Sequence, residues 1–205
     1  YHFGVEGGIM VTGSHNPKEF NGLKLALGKM TLWGDEIQEV YRIIAESRFA
    51  QTEHEGNLRF EEINAPYIDM LASKITLGPK KLKVVLDSGN GTGGLYGPEM
   101  MRRIGCEVVE LFSEPNGDFP NHHPDPTKRE YLTQLIDTVI KEKADLGIGF
   151  DGDSDRIGVV DDKGEVLWGD QLMLLYWKEI LPKHPGAKVI VEVKSSMILP
   201  EETEK

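Results

Sequence analysis

The sequence predicts an α/β protein built as successive domains, and three observations carry that prediction. From Leu82 onward, short apolar runs alternate with segments of helical periodicity, the pattern of a parallel sheet with crossover helices. A Gly78-Pro79 break separates this region from an earlier strand-and-helix region. Two strongly polar motifs, at 12–17 and 151–156, each follow a short apolar run. Open α/β folds place their chemistry at such strand ends.

In chain order, Ile9 to Val11 reads as a short buried strand, and Thr12-Gly-Ser-His-Asn-Pro17 as the loop after it. Gly13 permits a tight turn, and Pro17 keeps a helix from starting on the motif. Ser14 is thereby presented at a strand end; taken alone, it reads more simply as a common turn residue. Asn21-Gly22 is a hairpin signal. The strand after it, 23–27, carries Lys24 in apolar company, either as a functional lysine or as a charge that guards a sheet edge. His15 is either a functional histidine or a hydrogen-bonding loop residue. Residues 35–48 form a helix, with Asp35 and Gln38 as a capping box and Ile37, Val40, Tyr41 and Ile44 as its apolar stripe. A second helix from Asn64 is expected to bury Tyr67, Met70, Leu71 and Ile75.

The region after Gly78-Pro79 reads as strand 82–86, a short helix at 100–104 closed by Gly105, strand 108–112, and a helix marked by Leu132, Leu135, Ile136, Val139 and Ile140. Strand 146–150, the acidic loop and strand 157–160 follow. Asp161-Asp-Lys-Gly164 makes a hairpin turn, and Asp170 caps a helix that turns Leu172, Leu175 and Tyr176 inward. Residues 182–186 form a linker, and 187–193 a buried strand ending at Lys194. The domain boundaries expected are 1–78, 79–182 and 183–205, the last being the opening of a third unit. The chain reads as a truncated piece of something longer.

The acidic loop Asp151-Gly-Asp-Ser-Asp-Arg156 carries the sharpest chemistry. Three carboxylates at alternating positions repel one another unless a partner is present. A hard divalent cation such as Mg²⁺ is the natural one. Arg156 could hold a phosphate in a bidentate grip. A solvated acidic turn is the plainer reading. A calcium loop of EF-hand type fails, because Arg156 stands where the turn needs Gly and Asp162, not Glu, falls at the twelfth position. A phosphatase using Asp151 as nucleophile is compatible with the loop taken alone.

Two other motifs were weighed. Residues 89–94 spell G-x-G-x-x-G after a strand, with Glu110 further on, which is the dinucleotide fingerprint as written. Yet Glu110 lies inside its strand, and five glycines between 88 and 97 suit a wide turn better than a helix start. A non-catalytic dinucleotide-binding module on Gly89 to Gly94 is therefore the lesser reading. His122-His123 invites a metal site, but adjacent side chains diverge and no third ligand is near, so a rigid loop is favoured.

The net charge of −11 argues against nucleic acid or an anionic membrane as partner. No apolar run approaches the length of a membrane span. The single cysteine, Cys106, sits in an apolar stretch, reads as inert core, and fits a reducing, cytoplasmic setting.

Together, Thr12-Gly-Ser-His-Asn-Pro17 and Phe150-Asp-Gly-Asp-Ser-Asp-Arg156 resemble the α-D-phosphohexomutases, the phosphoglucomutase and phosphomannomutase enzymes. Pro120-Asn-His-His-Pro-Asp-Pro126 and Ser88-Gly-Asn-Gly91 resemble the bacterial bifunctional branch. The resemblance implies successive mixed/parallel-sheet three-layer domains: the end of the first, all of the second and the opening of the third. It departs from the family at Ser154, where Gly is usual, and at Ser195-Ser196-Met197. It implies a phosphoserine at Ser14, with His15 or Lys24 moving a hydroxyl proton. One Mg²⁺ would be held by Ser14, Asp151, Asp153 and Asp155, and substrate phosphate by Arg156 and Lys194. The expected reaction interconverts glucose or mannose 1- and 6-phosphates through a 1,6-bisphosphate, with glucose 1,6-bisphosphate as activator. Sustained turnover is not expected of these 205 residues by themselves, and the sequence leaves the oligomeric state open.

Overall fold

The computed structural model describes residues 2–13, 16–54 and 56–203. The chain divides into two units, Tyr1–Pro66 and Tyr67–Lys205. The division falls ahead of the Gly78-Pro79 break.

In the first unit, β1 (Gly7–Val11) pairs antiparallel with β2 (Leu23–Leu27), from Gly7 opposite Leu27 to Val11 opposite Leu23. β3 (Met30–Thr31), which the sequence reading missed, adds to the other side of β2. The tight hairpin is not at Asn21-Gly22. It is at Gly28-Lys29, between the paired residues Leu27 and Met30, with Gly28 at φ 59°. Asn21-Gly22 instead closes the long loop, where the Gly22 carbonyl accepts the Thr12 N–H at 3.0 Å.

α1 (Asp35–Ala45) follows, shorter than the 35–48 expected. Its N-cap is Gly34 and no side chain caps it; the Gln38 N–H goes to the Gly34 carbonyl, and Glu36 rather than Gln38 reaches back, to the Trp33 N–H at 3.3 Å. Two burial expectations fail here. Ile9, Met10 and Val11 are exposed, as are Ile37, Tyr41 and Ile44 of the helix stripe. A three-stranded sheet and one helix do not supply the packed layers that would bury these faces.

The second unit is built on a five-stranded mixed sheet. β4 (Lys83–Asp87) lies between β5 (Glu107–Leu111) and β6 (Leu146–Phe150), parallel to both. β7 (Ile157–Asp161) and β8 (Val166–Leu167) continue antiparallel. The β7–β8 turn forms as expected, with Gly164 at φ 83° and the Asp161 carboxylate accepting the Lys163 and Glu165 N–H groups. α4 (Thr133–Glu142) buries Leu135 and Val139 against Val85 and Val160, with Leu132 just before it, while Ile140 points outward. Val84, Val85 and Leu86 are fully buried, as a strand covered on both faces requires.

α2 (Asn64–Ala72) buries Ile68; Tyr67, Met70 and Ile75, expected inside, remain exposed. The 100–104 helix is α3 (Gly97–Arg103), preceded by a 3₁₀ turn at Thr92–Leu95. α5 (Gly169–Ile180) is capped at Trp168, whose N–H goes to Gln171, and buries Leu172; Leu175 and Tyr176 face out. Residues 187–193 form no strand, and Ile190 and Val193 are each 94% exposed. A strand needs a neighbour for its ladder, and this segment has none among the described residues. α6 (Ile198–Thr203) ends the description and buries Leu199. No described helix is long and apolar enough to cross a membrane.

Candidate metal and phosphate site

The acidic loop leaves the carboxyl end of β6 and re-enters the sheet as β7. Its first and last residues are locked together. The Asp151 N–H goes to the Arg156 carbonyl at 3.4 Å. In return, Asp151 Oδ1 accepts the Arg156 backbone N–H at 2.9 Å, and Oδ2 accepts Arg156 Nε–H at 2.9 Å. The loop thus carries its own clamp, and Asp151 is fully buried within it. Arg156 lies also 3.5 Å from Asp125 and 3.9 Å from Asp155. Partial desolvation opposes its charge, but Asp151, Asp125 and Asp155 outweigh that and hold its pKa above the ordinary arginine value.

Asp151, Asp153 and Asp155 bring one carboxylate oxygen each within 4.8 Å of the others, the one group of this kind among the described residues. Oxygen-only donors of this charge fit a hard divalent cation. A carboxylate oxygen engaged by Arg156 keeps a second lone pair for such an ion. Full burial and engagement of both oxygens speak against Asp151 as a phosphatase nucleophile.

Ser154 turns the loop at φ 62°, the left-handed conformation that glycine adopts most cheaply. Its hydroxyl points at the glycine-rich turn, not at the acidic oxygens: a Cβ on Gly93 would lie 2.5 Å from Ser154 Oγ. Close approach is what residues 89–94 are for. The Gly152 carbonyl accepts the Thr92 N–H at 2.9 Å, a Cβ on Gly91 would meet that same carbonyl at 2.7 Å, and one on Gly94 would lie 1.8 Å from the Ser113 carbonyl. Glu110 is held by Arg102, which keeps its carboxyl below the usual range. The glycines back the acidic loop, and the dinucleotide reading loses its acidic residue.

The two histidines part company. His122 Nε2 lies 3.0 Å from Asp87 Oδ2, while His123 packs edge-on against Phe119 and Tyr131. Asp87, Asn90, His122 and Asp125 all support the site, and sequence reading did not pick them out for this. For His122 and Asp125 the signal was the run 120–126, which prolines at 120, 124 and 126 make rigid.

Four further residues were expected at the site: Ser14, His15, Lys24 and Lys194. Ser14 and His15 lie outside the described residues. Lys24 is exposed on β2, opposite Met10, on the middle strand of its sheet and not on an edge strand. Lys194 is exposed in the tail, 3.7 Å from Glu192.

Two family models align to this chain, phosphoglucomutase/phosphomannomutase α/β/α domain I over residues 1–51 and domain II over 65–164. The chain belongs to the phosphoglucomutase/phosphomannomutase family. It is 41% identical over 192 residues to a phosphoglucomutase of Neisseria gonorrhoeae, covering 94% of this chain and 42% of that protein. It is 43% identical over 187 residues to a phosphomannomutase/phosphoglucomutase of Pseudomonas syringae, covering 91% and 40%. Among solved structures, a phosphoglucomutase/phosphomannomutase family protein of Burkholderia thailandensis superposes with a TM-score of 0.88 at 38% identity, over 98% of this chain and 43% of that one. The chain thus spans about two fifths of the length of these relatives. The glycine-rich turn and the acidic loop both lie within the span matched by domain II.

Proposed function

We propose that this chain supplies the serine-bearing and metal-binding domains of an enzyme that interconverts hexose 1-phosphates and hexose 6-phosphates, with glucose and mannose as the sugars. The observation that carries the reading is the convergence of Asp151, Asp153 and Asp155 beside Arg156, at a strand end of a chain matched by both family models. On this reading residues 1–78 close the first domain, 79–182 form the second and 183–205 open the third.

Ser14 carries the phosphoryl group and passes it to the free hydroxyl of a hexose monophosphate. The 1,6-bisphosphate turns over, and its other phosphoryl group returns to Ser14. Asp151, Asp153, Asp155 and an oxygen on Ser14 would hold one Mg²⁺, which supplies charge neutralisation where phosphoryl transfer builds negative charge. Arg156 holds phosphate through the guanidinium face that Asp151 leaves open. Lys194 is a second phosphate contact. His15 or Lys24 moves the hydroxyl proton; lysine does so as a base only when neighbouring cations lower its pKa. Glucose 1,6-bisphosphate would enter as the activator that charges Ser14.

The test pairs mass with turnover. Intact protein should carry one phosphate that Ser14→Ala removes. A coupled assay of the full-length enzyme with glucose 1-phosphate or mannose 1-phosphate, plus a trace of the 1,6-bisphosphate, should show turnover that Ser14→Ala abolishes. Phosphate trapped on Asp151 instead would return the phosphatase reading.

A further inference from the structure

The acidic loop does not position Arg156 by itself. Segment 120–126 reaches it from outside, and its seat is built into the sheet. Gly149 of β6 and Gly158 of β7 are register partners. Their missing side chains open a hollow on the sheet face, and Pro126 fills it: a Cβ on Gly158 would stand 2.9 Å from Pro126 Cβ. Pro124, on the other side of Asp125, is fully buried against Gly89. Asp125 is therefore pinned between two buried prolines, each with a fixed φ. Upstream, Asn121 donates to Asn90 Oδ1 at 2.8 Å and His122 is held by Asp87, so the segment is fastened at both ends.

Within this frame one oxygen does three things. Asp125 Oδ1 accepts the Thr127 N–H at 3.2 Å and the Thr127 hydroxyl at 2.6 Å, and faces Arg156 Nη1 at 3.5 Å. Burial would raise Asp125, yet the Thr127 bonds and Arg156 hold its pKa below the ordinary carboxylate range, so it is an anion at neutral pH. Arg156 is thus gripped at Nε by Asp151 and at Nη1 by Asp125. The contact at Nη1 restrains rotation about Nε–Cζ, which the contact at Nε alone does not.

We propose that Asp125 is a positioning residue that holds the Arg156 guanidinium in one orientation about Nε–Cζ for phosphate binding. The inference rests on the reading of Arg156 as a phosphate-holding group. Asp125→Asn is the informative change. The amide oxygen can still accept both Thr127 bonds, so the turn survives, while the charge facing Arg156 is lost. Thr127→Val keeps every charge and loosens only the carboxylate. It is read in the same way should Asp125→Asn not fold.

The experiment, on the full-length enzyme, combines arginine side-chain ¹⁵N NMR, with the Arg156 signals assigned from Arg156→Lys, and phosphoryl-transfer kinetics on the same Mg²⁺-loaded samples. The wild type should show separate Nη signals for Arg156, and Asp125→Asn should merge them by freeing rotation about Nε–Cζ. kcat/KM should fall about 10- to 100-fold, the usual cost of losing a residue that orients a functional group. Unchanged Nη signals overturn the proposal whatever the rate does. Merged signals with an unchanged rate, in a protein whose wild type is active, overturn it too. Merged signals in a protein whose wild type transfers no phosphoryl group support the grip on Arg156 and instead remove the mutase reading.

Discussion

His122 Nε2 stands 3.0 Å from Oδ2 and 3.2 Å from Oδ1 of Asp87, a carboxylate only 1% exposed at the carboxyl end of β4. The other ring nitrogen faces the His123 carbonyl at 3.0 Å. Both partners favour the charged ring. The Asp87 contact raises the His122 pKa above 6.5, against the opposing effect of burial. A raised histidine pKa stabilises the fold fully below the unfolded value, and that contribution disappears as pH rises through the folded value. The difference in urea stability between wild type and His122→Gln should therefore shrink from pH 6 to pH 9. A titration of the His122 ring by NMR should give a midpoint above 6.5; one below it would show that Asp87 does not hold the charged ring.

Removing the ring altogether is a separate matter. His122→Ala leaves Asp87 buried with the Gly89 N–H as its remaining donor among the described residues. Hydrogen bonds to charged groups are worth about 1.5–3 kcal/mol. A loss of that size in the unfolding of the second unit is expected, read by urea denaturation at pH 6.

Asp153→Asn should weaken Mg²⁺ binding and slow phosphoryl transfer by several orders of magnitude, because one ligand charge is lost where charge develops. Calorimetric titration with Mg²⁺ and single-turnover transfer check the two parts. Wild-type transfer by the variant at limiting Mg²⁺ would take the loop out of the reaction.

Ser154→Gly should leave Mg²⁺ affinity intact and stabilise the protein by about 1 kcal/mol. The change removes a side chain from a left-handed backbone. It also removes a buried hydroxyl that has no hydrogen-bond partner among the described residues. Thermal unfolding beside Mg²⁺ titration tests this; weaker Mg²⁺ binding would mean that the serine hydroxyl does serve the ion.

Gly94→Ala should be costly. Its Cβ would fall 1.8 Å from the Ser113 carbonyl, a backbone atom that cannot step aside without moving the end of β5. The loss should reach or exceed the roughly 1–3 kcal/mol of ordinary overpacking. A wild-type melting temperature would show that the turn and the Ser113 backbone are not tightly apposed.

Local rules made much of this protein legible from its residues. The runs at 82–86, 108–112 and 146–150 are strands within one residue or so of where the pattern put them, because short apolar runs rich in β-branched residues or bounded by turn residues suit a sheet. The spacing of Asp151, Asp153 and Asp155 fixed their convergence, since a six-residue connection between paired strands leaves alternate side chains little room to part. Burial was another matter. Ile9, Tyr41 and Val193 are apolar and exposed, because periodicity says which face should be covered and not whether a covering layer is present. The glycines at 89–94 matched a dinucleotide signature letter for letter, and only the fold decided what stood against them: Gly152 and Ser113, from segments far along the chain. The same holds for Asp125. In sequence it is one aspartate between two prolines; in the tertiary structure the hollow over Gly149 and Gly158 seats Pro126 and turns that aspartate onto Arg156. The Asp125–Arg156 contact joins residues 31 positions apart (156 − 125), and no local pattern encodes a distance that the folded sheet alone creates.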